Sequence, residues 1–258
     1  STKKEELMRA RIKSSLADIS VTVGHADEAL TLHKEALESF IKLNDPRGAA
    51  RTYNNMGYIY RRQRDDKRAL EVYANVEELL DSEKDPELVE SRIKLASAFL
   101  EMSELDRAKE HAFKAHDDTT GGEDAVLHAR ARAVLGRYYS KTGDPELALH
   151  HYTEALDGLS EQSDSHAEVE ITLLLGEVLV DSGRRDEAME CYRQALALAE
   201  SNDYRMLIGE LLARLGEAAP DKSRRMEYLQ RSLTVFRELG ANDRMRDIQT
   251  KVHRALMG

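Results

Sequence analysis

A set of small residues recurs about every 40 positions along this chain, and the pattern can be laid over itself five times. Ala29, Ala69, Ala108, Ala148 and Ala188 stand 40, 39, 40 and 40 apart, and each is followed seven residues later by Ala36, Val76, Ala115, Ala155 or Ala195. A second ladder, twelve residues upstream, reads Ala17, Gly57, Ala96, Gly136, Gly176 and Gly216. Self-similarity at such a period marks a solenoid, whose units are too small to bury an apolar face alone and stack on their neighbours. Function is therefore expected on a surface, not in a pocket.

The repeat runs through nearly all 258 residues and leaves no room for a second fold, so a single domain over 1–258 is expected. Charged residues make up 33% of the chain and apolar ones 41%, with no Trp, a balance that suits helices. Only four prolines and no alternating β-branched runs argue against sheet.

A formal net charge of −10 disfavours nucleic acid, because phosphate binding needs a basic footprint. An acidic membrane surface is disfavoured on the same ground. Cys191 is the only cysteine, which excludes an intramolecular disulfide framework and points to a reducing, cytoplasmic compartment. No apolar run reaches the ~18 residues of a membrane span. The chain starts at Ser1 without Met, as an excised segment of a longer protein would, or a chain whose Met has been removed.

Each period holds two helical patterns. In the fourth unit Val134, Leu135, Tyr138 and Tyr139 make one apolar stripe, and Leu147, Ala148, Tyr152, Ala155, Leu156 and Leu159 make the next. Between them lies Thr142-Gly143-Asp144-Pro145, where Gly stops one helix, Asp caps the next and Pro starts it. Asp45-Pro46 and Asp85-Pro86 read as helix starts by the same logic, while Thr119 to Gly122, Ser160 to Ser165 and Ser201 to Asp203 read as turns. Linkers this short make consecutive helices antiparallel.

The units run at about 10–49, 50–88, 89–128, 129–168 and 169–208, followed by a degenerate one at 209–240 and a cap at 241–258. From Gly216 the register holds only if about three residues are deleted across Ala219 to Asp221, which gives Met226, Leu229, Ser232 and Leu233 the second-helix positions. The final stretch places Met245, Ile248, Val252 and Leu256 on one face and reads as the cap an open solenoid end needs. Residues 3–23 form the first helix and carry no evident cap of their own.

Gly57, Gly136, Gly176 and Gly216 fall in mid-helix, where Gly costs about 0.5–1 kcal/mol against Ala. Close approach of the paired antiparallel helix is the expected reason. Joined with the large residue three positions on (Tyr60, Phe99, Tyr139, Leu179) and the second-helix triplets Ala148, Tyr152, Ala155 and Ala188, Tyr192, Ala195, the pattern resembles the tetratricopeptide repeat. The resemblance covers about residues 10–240. Forty-residue units with Leu135-Gly136, Leu175-Gly176 and Leu215-Gly216 are similar to its longer Leu-Gly-Asn subclass, but the expected Asn is Tyr58, Arg137, Glu177 or Glu217 here. The subclass ligands therefore do not carry over.

The resemblance implies an all-α, right-handed superhelical solenoid of six antiparallel helix pairs plus a C-terminal capping helix. It also implies a concave face lined by first helices, with Arg51, Asn54, Tyr58, Arg61 and Arg62 of unit two and Arg130, Arg137 and Lys141 of unit four facing solvent. Units five and six would add Glu170, Glu177, Asp181, Glu210 and Glu217, and unit three Glu90 and Glu101. The partner-binding set is then Arg51, Asn54, Tyr58, Arg61, Arg62, Arg130, Arg137, Lys141, Glu177 and Asp181. A run from basic to acidic could orient an extended or helical ligand. The alternative is a solvated face of mixed charge.

Other chemistry finds little footing. The family's clamp for an acidic chaperone tail would fall on Ser14, Asp18, Asn55, Glu90 and Lys94, or on Asn54, Tyr58, Lys94, Arg130 and Val134, and neither set fits. Arg61 to Arg68 is a basic stretch partly neutralised by Asp65 and Asp66, and reads as an exposed turn. Among the nine histidines, no carboxylate or second His is expected at the i, i+4 spacing of paired ligands, so no metal is expected. His33 takes the position held by Tyr73, Tyr152 and Tyr192 and reads as a packed residue, and Cys191 has no cationic neighbour to activate it. Gly121-Gly122 lacks the Lys and Ser/Thr of a phosphate loop.

The function expected is a non-catalytic scaffold that holds a peptide or helix of a partner protein in its groove, with no cofactor. The alternative is the sensory or regulatory segment of a larger signalling protein, a transcription regulator or kinase, that responds to a peptide.

Overall fold

The period of 40 residues and its paired stripes emerge as helix pairs. In the computed structural model, which describes residues 2–22, 25–159 and 165–257, thirteen helices follow one another and no strand occurs among the described residues. They are α1 (Lys3–Thr22), α2 (Ala26–Lys42), α3 (Pro46–Arg62), α4 (Asp66–Leu79), α5 (Pro86–Glu101), α6 (Leu105–Thr119), α7 (Ala125–Thr142), α8 (Pro145–Leu159), α9 (Ser165–Asp181), α10 (Arg185–Ser201), α11 (Arg205–Ala218), α12 (Lys222–Glu238) and α13 (Asn242–Met257). The expected turn from Ser160 lies outside the described residues up to its last member, Ser165, which opens α9, and the expected end of the first helix at residue 23 lies outside them as well.

The helices form two compact units, Ser1–Glu123 with α1 to α6 and Asp124–Gly258 with α7 to α13. Within each, every helix packs on the next, and first helices also touch first helices one repeat on, α1 with α3, α3 with α5, α7 with α9 and α9 with α11. This is the all-α solenoid of antiparallel pairs that the ladder predicts.

The Asp-Pro pairs start helices as expected. Asp45 accepts from the Gly48 N–H, Asp85 from the Glu87 N–H and Asp144 from the Leu147 N–H, satisfying orphan donors of α3, α5 and α8. Gly143 stops α7 in the left-handed region at φ 84°. The equivalent turns carry Arg64 at φ 62° and Ser103 at φ 61°, non-glycine residues in a conformation that favours glycine.

The small-residue ladders are buried, with Ala29, Ala69, Ala108, Ala148 and Ala188 all at 0% exposure. The glycines make room for rings rather than for a bare backbone: Gly57 lies under Tyr73, Gly136 under Tyr152 and Gly176 under Tyr192. In unit six a Cβ at Gly216 would stand 2.8 Å from Cγ of Leu229, so Leu229 takes the tyrosine's place as the three-residue deletion requires. Gly209 beneath Phe236 is a further pairing that the ladder does not announce. His33 is fully buried, as its register implies.

Two apolar assignments shift. Leu147 is exposed and Leu149 is buried in its place on α8. On α13 Leu256 is exposed while Ala255 is buried, because the inward seam follows Met245, Ile248, Val252 and Ala255 at spacings of three, four and three. That seam packs on Leu229 and Phe236 of α12.

Candidate functional site

In the unit of residues 1–123 the first-helix face is centred on α3. Arg51 is exposed, and its Nε donates to Glu87 Oε1 on α5 at 2.7 Å. That hydrogen bond and the attraction of the carboxylate raise the guanidinium pKa further above its ordinary value. One turn earlier, Arg47 donates from Nε to Asp85 Oδ2 at 2.7 Å. Tyr58 is half exposed, with the Arg62 guanidinium 5.9 Å from its ring centre. Arg61, largely covered, pairs with Glu101 at the far end of α5.

Asn54 departs from expectation. It is 1% exposed rather than solvent-facing, and its Nδ2 donates to the backbone carbonyl of Glu87 at 2.9 Å. Helix α5 packs directly over that position, so the amide joins two first helices instead of facing solvent; its Oδ1 is buried with no hydrogen-bond partner among the described residues.

Between α1 and α3 lies a cavity of about 520 Å³ walled by Arg11, Ser14, Ser15 and Asp18 on one side and Arg47 and Arg51 on the other. Arg11 and Arg47 are absent from the sequence-derived set. The repeat itself points to Arg11, which stands 40 residues before Arg51, whereas Arg47 sits in the first turn of α3, ahead of the face positions.

In the unit of residues 124–258, Arg130 and Arg137 are half-buried on α7 and Lys141 is exposed near its end. Glu177 on α9 pairs with Arg214 on α11, and Arg214 also donates to Glu217 at 3.1 Å. Glu217 meets Lys251 of α13 at 2.7 Å, and Glu210 meets Arg244 of α13 at 2.8 Å. Asp181 and Glu170 are exposed. The acidic members that look free in sequence are thus largely tied to cations one repeat on, residues whose role a single helix pattern does not reveal.

The histidine expectation needs correction. His150 and Glu154 stand at i, i+4 with Nε2 to Oε2 at 3.6 Å, and His166 and Glu170 stand likewise at 3.4 Å. Both are surface pairs, and among the described residues no group of three or more His, Cys, Asp and Glu is placed to hold a metal. Cys191 is half-buried, and burial pushes its thiol pKa up, away from a nucleophilic thiolate. No helix among the described residues is long and apolar enough to cross a membrane.

Two profiles described as tetratricopeptide repeat match the chain, one over residues 8–82 and the other over residues 129–157 and 169–202. No curated protein matches it in sequence. Among solved structures, it is similar to the STAND protein with a tetratricopeptide repeat sensor from Pyrococcus horikoshii, at 15% identity and a TM-score of 0.70 over 95% of this chain. The chain spans 38% of that protein. It is also similar to the apo form of RapI, at 14% identity and a TM-score of 0.69 over 96% of this chain and 98% of the other. A Rap protein complexed with Competence and Sporulation Factor matches at 14% identity and a TM-score of 0.70, over 96% of this chain and 75% of the other. At such identities these likenesses speak to the fold alone.

Proposed function

This chain belongs to the tetratricopeptide repeat family, and from that premise we propose that it is a non-catalytic scaffold holding a peptide or helix of a partner protein against its first-helix face. The observation that carries the reading is the α3 surface, where half-exposed Tyr58 lies beside the Arg62 guanidinium and one turn from Arg61. Tyr and Arg are enriched among the few residues that dominate binding energy at protein contacts, since each joins contact area to directed donors. In the second unit Arg130, Arg137, Lys141, Glu177 and Asp181 are the matching positions. The Rap protein solved with Competence and Sporulation Factor supports a bound-factor role for such a fold.

A second reading is favoured by the STAND protein, of which the matched part is about the size of this chain. In that reading the chain is the sensory segment of a larger signalling protein and its peptide is the signal. Both readings share one binding event.

Selection of displayed random peptides against the chain, followed by titration of the winners, tests it. Tyr58→Ala combined with Arg62→Glu should weaken selected peptides about tenfold or more while the helical circular dichroism and melting temperature stay as in the parent. Winners that bind the double variant as tightly as the parent place the binding surface elsewhere and overturn the assignment.

A further inference from the structure

The cavity between α1 and α3 contains an unfilled arrangement that recurs filled elsewhere in the same chain. Arg92 holds two carboxylates at once, Glu77 through Nε at 3.3 Å and Asp118 through Nη1. Arg214 does the same with Glu177 and Glu217. Among the described residues Arg47 and Arg51 each hold only one, Asp85 and Glu87, both through Nε. Both residues wall the cavity, where the exposed Arg11 guanidinium forms no ion pair among the described residues. The two acids in the same cavity are partly engaged: Asp45 caps α3 by accepting from Gly48, Asp18 accepts from Asn55 Nδ2 at 2.9 Å, and both attract the Arg51 guanidinium more weakly than Glu87 does.

We propose that this cavity is a subsite for an acidic segment of the partner peptide, in which two carboxylates complete the valence of Arg47 and Arg51 and Arg11 holds one of them from the opposite wall. The proposal rests on the peptide-binding reading above and gives that peptide its chemistry. Arg47 and Arg51 lie one helical turn apart, about 6 Å. Alternate side chains of an extended peptide fall about 6.6 Å apart on one face, so acidic residues at positions i and i+2 match the spacing. Ser14 and Ser15 add hydroxyl donors on the α1 wall, and Asp18 can accept from a peptide N–H. Guanidiniums already anchored at Nε lose little freedom when a second carboxylate arrives, which favours binding.

The test uses a fluorescein-labelled decapeptide of alternating Glu and Ala, the same peptide with Gln for Glu, and inorganic phosphate as competitor. Anisotropy should show the Glu peptide bound and the Gln peptide unbound. Arg11→Glu, a change at an exposed residue, should weaken binding about tenfold or more, whereas Arg193→Glu on α10, which alters net charge equally, should leave it within about twofold of the parent. Phosphate should displace the peptide only at concentrations that also act through ionic strength. Failure of the Glu peptide to bind, equal binding by the Gln peptide, equal loss in Arg11→Glu and Arg193→Glu, or direct displacement by low phosphate would each overturn the proposal. Displayed peptides that depend on Tyr58 and Arg62 but ignore Arg11 would remove this subsite and leave the broader peptide-binding reading standing.

Discussion

Tyr192 lies across Gly176 so closely that a Cβ at the glycine would stand 2.7 Å from Cζ of the ring. The partners are sixteen residues apart, as are Gly57 with Tyr73 and Gly136 with Tyr152. Where the second helix offers Ala112 instead of a ring, the first-helix residue is Ala96, and both are fully buried. Small residue and ring are thus two halves of one packing unit.

Gly176→Ala should therefore destabilise by about 1–3 kcal/mol through overpacking. In a Tyr192→Ala background, which imitates the Ala96 and Ala112 pair, the same change should cost close to nothing or help through helix propensity. Urea denaturation of the four species gives the coupling. Glu168→Gln on the exposed side of the same helix should be neutral, and a Gly176→Ala cost independent of Tyr192 would refute the pairing.

Ser103 sits in the left-handed region at the turn after α5, where the repeat elsewhere uses Gly143 and Gly183. Ser103→Gly should raise stability by about 0.5–1 kcal/mol, the relief of a strained φ less the entropy of a freer unfolded chain. Gly143→Ala should lower it by a similar amount. Melting temperatures moving in opposite directions are the expected readout, and a drop in both would contradict the strain argument.

His111 stacks on Phe99 with ring centroids 5.5 Å apart, and burial lowers its pKa despite Glu77 at 3.9 Å and Glu110 on its own helix. Lys114 and Arg92 also face it and push the same way as burial. A histidine whose folded pKa is depressed favours the neutral form. Its contribution is full above the unfolded value of about 6.5 and is lost as pH falls through the folded one. His111→Phe should keep the stacking and flatten that part of the stability profile between about pH 7 and 5. Parallel profiles for parent and variant would mean that His111 does not couple to folding.

Arg92 is largely buried between Glu77 of α4 and Asp118 of α6. Arg92→Leu leaves Asp118 covered without its partner and should cost about 3 kcal/mol or more, whereas Arg92→Leu with Asp118→Leu should recover most of that loss. Chemical denaturation of both variants decides it. A double variant as unstable as the single one would place the cost in packing rather than in the orphaned charge.

The helix pairs, caps and buried ladders were readable because period and turn chemistry are properties of single segments. The deletion before unit six was readable too, since only Leu229 can stand where the tyrosine stands elsewhere. The burial of Asn54 was not, because it depends on α5 crossing above it, and a residue at an outward register position of one helix is covered by another. Leu256 and Leu147 misled for a related reason: which of two nearby residues enters the seam, Ala255 rather than Leu256 on α13 and Leu149 rather than Leu147 on α8, is set by the helix packed against it. On the candidate face, sequence located Arg51 and Tyr58 but not that Arg51 already holds Glu87, an ion pair between residues 36 apart.

Cross-repeat ion pairs on the first-helix faces join neighbouring layers, among them Arg51 to Glu87, Arg61 to Glu101, Glu177 to Arg214 and Glu217 to Lys251. Such pairs add little to global stability when exposed, about 0–1 kcal/mol each, but they act as tethers across the gap between first helices. Their tension is set by the surrounding electrolyte, since charges at a surface are screened over about 8 Å at physiological salt. Within each unit, then, the first-helix face is strung along its length by contacts that salt can slacken. A charged ligand held there, as proposed, would redistribute the same contacts, and the mechanical stiffness of a repeat stack and its occupancy would become one variable.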